Sequence, residues 1–186
     1  MESNSVDAEK SKKFTEALLK KGFVFPATVI AGNPSTRKEY DEGYLLADSE
    51  GKLFHFKQVV GRPYVRFIEK STDIIPVQAY VAEFRDRSIL GLVVDTENNF
   101  YVLGSDYGLT KTGLPSFDPS KESLTILGNM LDWTVKVSNS DAEKVYALDA
   151  SDYSLIKELI FPDKVKAAQV LHFTSVGDKL VKPRLF

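Results

Sequence analysis

Apolar and polar positions follow two different periodicities along the chain, and the change falls near Gly22. Over 7–21, apolar residues such as Phe14 and Leu18 recur at the three- and four-residue spacing of one helix face. Gly22 stands where helices commonly end, because glycine adopts a left-handed backbone conformation without steric cost. Residues 1–22 are therefore predicted to be a helical segment that packs on the edge or end of a sheet.

From residue 23 onward, short segments rich in β-branched and aromatic residues alternate with turn residues, which is typical of antiparallel strands. The strands predicted from this pattern are 23–30, 43–47, 53–56, 64–68, 77–84, 90–94, 100–103, 109–112, 133–137, 145–148 and 155–160. Residues 23–186 are expected to form a single all-β domain.

One short motif occurs three times in this region: an apolar strand, an Asp, a Gly, Asn or Asp three residues later, and a second apolar strand. An Asp carboxylate can accept backbone N–H bonds across a turn, and Gly, Asn and Asp tolerate a positive φ. The three copies start 47 and 54 residues apart, close to the period of about 40–50 residues of propeller blades. The predicted turn-forming residues are Asp48, Gly51, Asp95, Asn98, Asp149 and Asp152.

The motif and the strand count predict a mainly β, antiparallel fold of about three to four propeller-like, four-stranded repeats, with one N-terminal helix. A β-sandwich or barrel is the alternative. Residues 172–185 are expected to start a fourth unit. Because the repeats are too few for a typical closed ring, we expect an open or partial array, or a chain that is part of a longer protein.

The amino-acid composition excludes several kinds of binding site and partner. The 186 residues carry a net charge of −2, so no basic field is available for nucleic acid, and nucleic acid is not an expected partner. There is no cysteine and there are only two histidines, which excludes disulfides, thiolate metal sites and a three-histidine site. No cofactor and no metal are expected. A membrane would be reached only through segments absent from this chain, since no apolar run approaches about 18 residues.

Catalytic motifs are weak in this sequence. It has no G-x-S-x-G nucleophile elbow, and the 32–36 loop lacks the Gly-Lys-Ser/Thr ending of a phosphate-binding loop. Asp48 and Glu50 do not extend into a calcium-binding loop, because Leu53 stands at the position of its glycine. A hydrolase that uses Asp or Glu together with His55 is the alternative function, although the sequence favours a protein that is not an enzyme.

The aromatic residues indicate a binding surface instead. The chain has 12 Phe, eight Tyr and one Trp, and Tyr beside Arg at a loop rim is typical of recognition surfaces. A non-enzymatic binding or scaffold module is therefore the favoured function, with a protein or envelope component as partner. The candidate binding residues are Tyr40, Tyr44, His55, Arg62, Tyr64 and Tyr107.

Five segments in the first part of the chain resemble one uncharacterised family of Bacteroidetes cell-envelope proteins. They are 25–27, 31–36, 41–44, 48–57 and 61–64. The resemblance implies a soluble domain that is tethered to a membrane, as part of a membrane- or transporter-associated protein, and it covers the first two repeat units best. It implies an extracytoplasmic location in the cell envelope, with the cytoplasm as the alternative. It carries over no catalytic or binding residue.

Overall fold

The structure is a computed structural model that describes residues 6–35, 37–140, 142–162, 172–175 and 181–184. One helix, α1, precedes three four-stranded antiparallel sheets, and each sheet is built from consecutive strands. Their bounds are α1 Ala8–Lys20; in sheet 1, β1 Val29–Gly32, β2 Tyr44–Ala47, β3 Leu53–Val59 and β4 Arg62–Phe67; in sheet 2, β5 Pro76–Val81, β6 Ile89–Asp95, β7 Phe100–Gly104 and β8 Leu109–Lys111; in sheet 3, β9 Ser123–Gly128, β10 Asp132–Ser138, β11 Ala142–Asp149 and β12 Leu155–Pro162. A short 3-10 turn, Glu69–Ser71, joins sheets 1 and 2, and a two-stranded hairpin of β13 His172–Ser175 and β14 Val181–Arg184 follows sheet 3.

Helix α1 ends at the glycine that the sequence predicts, and a side-chain cap marks its start. The Asp7 side chain accepts the backbone N–H of Lys10 at 2.9 Å and caps the first turn. At the other end Gly22 has φ +82°, and the backbone N–H of Phe23 donates to the carbonyl oxygen of Leu18. Leu18 and Phe23 are both buried against sheet 1, so the capped end of the helix is also its anchor.

The three sheets stack face to face in chain order, with one apolar cluster in each interface. Between sheets 1 and 2 the cluster includes Leu45, Leu53 and Val93, and between sheets 2 and 3 it includes Phe100 and Val135. The other face of sheet 1 is covered by α1. The helix thus lies on a sheet face, whereas the sequence pattern suggested an edge or an end.

This arrangement is that of consecutive propeller blades: four antiparallel strands per sheet, joined in order, with each sheet packed on the next. The predicted fold class is confirmed in preference to the sandwich or barrel. Within the described residues the sheets remain separate and none closes into a barrel. No helix in the described part of the chain is long and apolar enough to cross a membrane.

The repeated turn motif occupies the same place in sheets 1 and 2. Asp48 and Asp95 both join the second and third strands of their sheets, and both are buried. The Asp48 carboxylate accepts the backbone N–H groups of Glu50 and Lys52, and Asp95 repeats these bonds with the residues two and four positions after it. Gly51 and Asn98 take the left-handed conformation.

Asp149 reproduces the start of this turn at a different place in its sheet. It lies between the third and fourth strands, so the residue at the position of Asp48 is Asn139, which is 44 residues after Asp95. The Asp149 turn is also one residue longer, and its left-handed residue is Tyr153, not Asp152. The equivalence of the three Asp residues that we expected is therefore wrong at the level of the sheet, because β9 adds a strand before β10.

Two further differences concern strand positions. Strand β9 was missing from the sequence-based set, although Leu124 and Ile126 alternate with polar residues there. Conversely, most of the predicted strand 23–30 is not a strand. The Val24 backbone N–H donates to the Asp48 carboxylate, and the Val24 carbonyl oxygen accepts from the Ser49 backbone N–H, so this segment holds the β2–β3 turn in place.

Candidate functional site

The loops that join strands 1 to 2 and strands 3 to 4 of a meander emerge at the same end of its sheet. In sheets 2 and 3, three of these four loops border an open groove of about 570 Å³, which we call the sheet 2–sheet 3 groove. The loop between β5 and β6 forms one wall, and the loops after β9 and β11 form the other.

Aromatic side chains form the inner part of this groove. Trp133, at the start of β10, is only 7% exposed, and its ring centroid lies 5.0 Å from that of Tyr153. Ile89 and Ile126 complete the apolar lining. Tyr153 has φ +61°, which is costly for a bulky residue, so the fold holds this ring against Trp133 at the expense of backbone strain.

The rim of the groove combines apolar and charged groups. Met130 is 96% exposed at the turn between β9 and β10, and Phe84 is half-exposed on the opposite wall. Arg85 and Asp86 follow Phe84 on this wall. Aromatic, Met and Arg side chains around a concave apolar surface are the composition that is enriched where proteins bind other proteins.

Tyr40 supports the wall of the groove from behind. Its hydroxyl donates to the backbone carbonyl of Phe84 at 2.6 Å, and the Arg87 guanidinium lies 4.2 Å from the centroid of its ring. Burial raises the pKa of the Tyr40 hydroxyl, with a further contribution from the Glu42 charge. Of the predicted binding residues, Tyr40 is therefore the one beside the groove, and it acts there through Phe84.

Glu83 holds the long loop between β1 and β2 onto sheet 2. Its side chain is 2% exposed and accepts hydrogen bonds from Lys38 Nζ at 2.8 Å, Asn33 Nδ2 at 2.7 Å and the Glu42 backbone N–H at 2.9 Å. Lys38 also pairs with Asp41 at 2.8 Å. Burial opposes the charge of Lys38, but these two carboxylates outweigh it and raise its pKa.

Three of the predicted binding residues form one internal cluster between sheets 1 and 2. His55 is 1% exposed, and its Nε2 lies 2.7 Å from the carbonyl oxygen of Glu42, so Nε2 carries the proton and donates it. Nδ1 then accepts from the Tyr107 hydroxyl at 2.8 Å. The Tyr107 oxygen accepts in turn from Tyr64, at 3.3 Å.

These bonds occupy both ring nitrogens of His55. Desolvation lowers the pKa of His55 and, together with the nearby Lys57 ammonium, outweighs the opposing hydrogen bond to the Glu42 carbonyl oxygen, so the neutral ring is favoured. Burial raises the pKa of Tyr107, and its hydrogen bond with Tyr64 adds to that effect. The cluster is a satisfied structural network and does not present the histidine to a substrate.

The last two predicted binding residues lie elsewhere. Tyr44 is half-exposed in the groove between α1 and sheet 1, beside Phe14 and Phe56. Arg62 is exposed at the tip of the β3–β4 hairpin. Two aspartates that precede His55 in the chain, and could have served a hydrolase with it, are already engaged. Asp41 pairs with Lys38 and accepts the Gly43 backbone N–H, and Asp48 accepts backbone N–H groups of its turn.

The sequence reasoning missed the groove and the residue that anchors its neighbouring loop. Trp133, Tyr153, Met130 and Glu83 were not among the predicted site residues. One signal was available in the sequence. Tyr153 directly follows Asp152, the Gly/Asn/Asp position of the third turn motif, and tyrosine has no preference for turns that would explain its place there. Among the residues described by the structure, no group of three or more His, Asp or Glu side chains could hold a metal ion.

The fold and its groove define a propeller-like β-repeat domain with a terminal helix. A family model described as "Domain of unknown function (DUF4857)" matches residues 1–148, and the chain belongs to that family. No curated protein matches the chain. A solved structure titled "Structure of Dos1 propeller" is similar with a TM-score of 0.45 and 12% sequence identity, over 74% of this chain and 38% of that one.

Proposed function

We propose that this domain is a non-enzymatic binding module of the cell envelope and that a protein partner binds in the sheet 2–sheet 3 groove. The observation that carries the proposal is the pairing of Trp133 with Tyr153 beneath the exposed Met130. A segment that inserts an apolar side chain here would bury the exposed apolar surface of Met130 and Phe84 beside rings that are already ordered, which limits the entropic cost of binding.

The envelope location rests on a separate argument. It is supported by the resemblance of segments such as 31–36 and 48–57 to a cell-envelope family. An alkaline phosphatase fusion to the full reading frame in the native host tests it, because that enzyme is active only outside the cytoplasm. An active fusion supports the location, and an inactive but stable fusion overturns it without affecting the groove.

Photo-crosslinking tests the groove itself. A photoreactive amino acid at Met130 should capture a partner in the native host, whereas the same group at Val60 should not. The two positions form a matched pair because their side chains are 96% and 97% exposed and both are apolar, but Val60 lies at the tip of the β3–β4 hairpin of sheet 1. Equal capture at both positions would show that exposure, not the groove, accounts for binding.

Tryptophan emission gives an independent measurement with the purified partner. Trp133 is the single tryptophan of the chain, so its fluorescence reports on the groove without interference. The partner should change the emission of the parent and of Val60→Asp, and Met130→Asp should weaken this response at least tenfold. A partner that binds with no change in emission does not occupy the groove.

A further inference from the structure

The outward face of sheet 3 differs from every other broad face of the three sheets. Sheet 2 is covered on both sides, and sheet 1 is covered by sheet 2 and by α1. In sheet 3, Trp133 and Val135 face sheet 2, so the strand residues between and beside them face outward. Leu127, on this outward side of β9, is 71% exposed.

Apolar residues continue across this face toward the outer strand. Val145 of β11 pairs with Leu159 of β12, and the next outward residue of β12 is Phe161. Leu159 and Phe161 are 46% and 53% exposed. Exposed apolar side chains gathered on one broad face of a sheet mark a place where another element packs, and here they lie on both halves of the face, Leu127 on β9 and Leu159 and Phe161 on β12.

The lengths of the segments that connect successive sheets indicate which element packs on this face. Eight residues connect β4 to β5, and eleven connect β8 to β9; each time, the new sheet lies on the outward face of the one before. Nine residues separate β12 from β13, which is within this range. At the first interface the incoming strand β5 lies against β1 and β2, the first two strands of the preceding sheet.

We propose that β13 and β14 are the first two strands of a fourth sheet, and that they cover the β9 and β10 half of the outward face of sheet 3. The two strands pair in an antiparallel register from His172 with Arg184 to Ser175 with Val181. A two-stranded hairpin is at best marginally stable in water and needs a face to pack on. A nine-residue tether keeps this hairpin at a high effective concentration, which favours it over a second copy.

Thiol labelling tests the proposal in the full chain, because the sequence contains no cysteine. Leu127→Cys should react with a maleimide at least tenfold more slowly than Val60→Cys, at a rate that does not depend on protein concentration. Thr134 is an outward and exposed residue of β10, so Thr134→Cys should show the same protection. This second variant tests the face even if Leu127→Cys disturbs folding. Trp133 emission confirms that each variant is folded.

Crosslinking then identifies the element that covers the face. Leu127→Cys is combined with Phe173→Cys or with Thr174→Cys, and a bis-maleimide spanning about 10 Å is added, since packed sheets lie about that far apart. Neighbouring strand residues point to opposite sides, so one pair should crosslink within the chain at least fivefold more than the other. Labelling of Leu127→Cys at the Val60→Cys rate, equal or no crosslinking of the two pairs, or protection that rises with concentration would each overturn the proposal.

Discussion

The Tyr107 hydroxyl lies 2.8 Å from Nδ1 of His55 and joins the loop after β7 to the middle of sheet 1. The histidine can accept this bond only because its other nitrogen donates to the carbonyl oxygen of Glu42. One buried ring thus connects both sheets to the loop between β1 and β2, so its hydrogen bonds should contribute measurably to stability.

Tyr107→Phe should lower the free energy of unfolding by about 1–3 kcal/mol, because it leaves the buried Nδ1 of His55 without a donor. Urea unfolding, followed by Trp133 emission, measures this change. Tyr44→Phe is the matched control at a half-exposed tyrosine and should change stability by less than about 0.5 kcal/mol. Equal effects of the two substitutions would mean that the hydroxyl of Tyr107 contributes nothing specific.

Stability should depend on pH through the same histidine. Burial lowers the pKa of His55 in the folded protein, so the unfolded chain binds the extra proton more readily. The contribution of the neutral ring is complete above about pH 6.5, the ordinary histidine value, and is lost as the pH falls from there toward the lower folded pKa. The free energy of unfolding should therefore decrease from pH 7 to pH 5.

Urea unfolding of the parent and of one variant across this range isolates the effect. His55→Gln should flatten the slope because glutamine does not titrate. A slope that survives in His55→Gln would assign the pH dependence to carboxylates instead.

Glu83→Gln should loosen the loop between β1 and β2. The substitution removes the charge that Lys38 pairs with at 2.8 Å in a largely buried setting, and we expect a loss of about 2–4 kcal/mol. Hydrogen exchange should accelerate at residues 37–42. Glu50→Gln, in an exposed pair with Lys52, is the control and should cost less than about 1 kcal/mol. Unchanged exchange in the loop would refute its dependence on Glu83.

The tip of the β3–β4 hairpin stores strain that a substitution can relieve. Val60 has φ +47° and Gly61 has φ +75°, the pattern of a two-residue turn that favours Asn-Gly. Val60→Asn should raise the free energy of unfolding by about 1 kcal/mol, because asparagine tolerates this conformation better than a β-branched residue. Val60→Thr is polar but still β-branched and should give little change. A similar gain in both would point to polarity as the cause.

The candidate site was less accessible to sequence reasoning than the fold. Asp48 and Asp95 form their turns through bonds to residues two and four positions later, so nearby sequence was sufficient to suggest them. The role of Glu83 depends on Lys38, 45 residues away, and the contact of Trp133 with Tyr153 depends on the course of two separate loops. Nothing in the local sequence of these residues marks those partners.

The amino-acid sequence by itself determined the helix and its terminal glycine, the strand-rich character of the rest and the four-stranded repeat, because periodicity and turn preferences act over a few neighbouring residues. Only the tertiary structure decided that Asn139 replaces Asp149 as the counterpart of Asp48, that His55 is an internal group and that a groove opens beside Trp133. These features arise where sheets pack on one another, and such packing joins residues that are distant in the chain and carry no local signal of their contact.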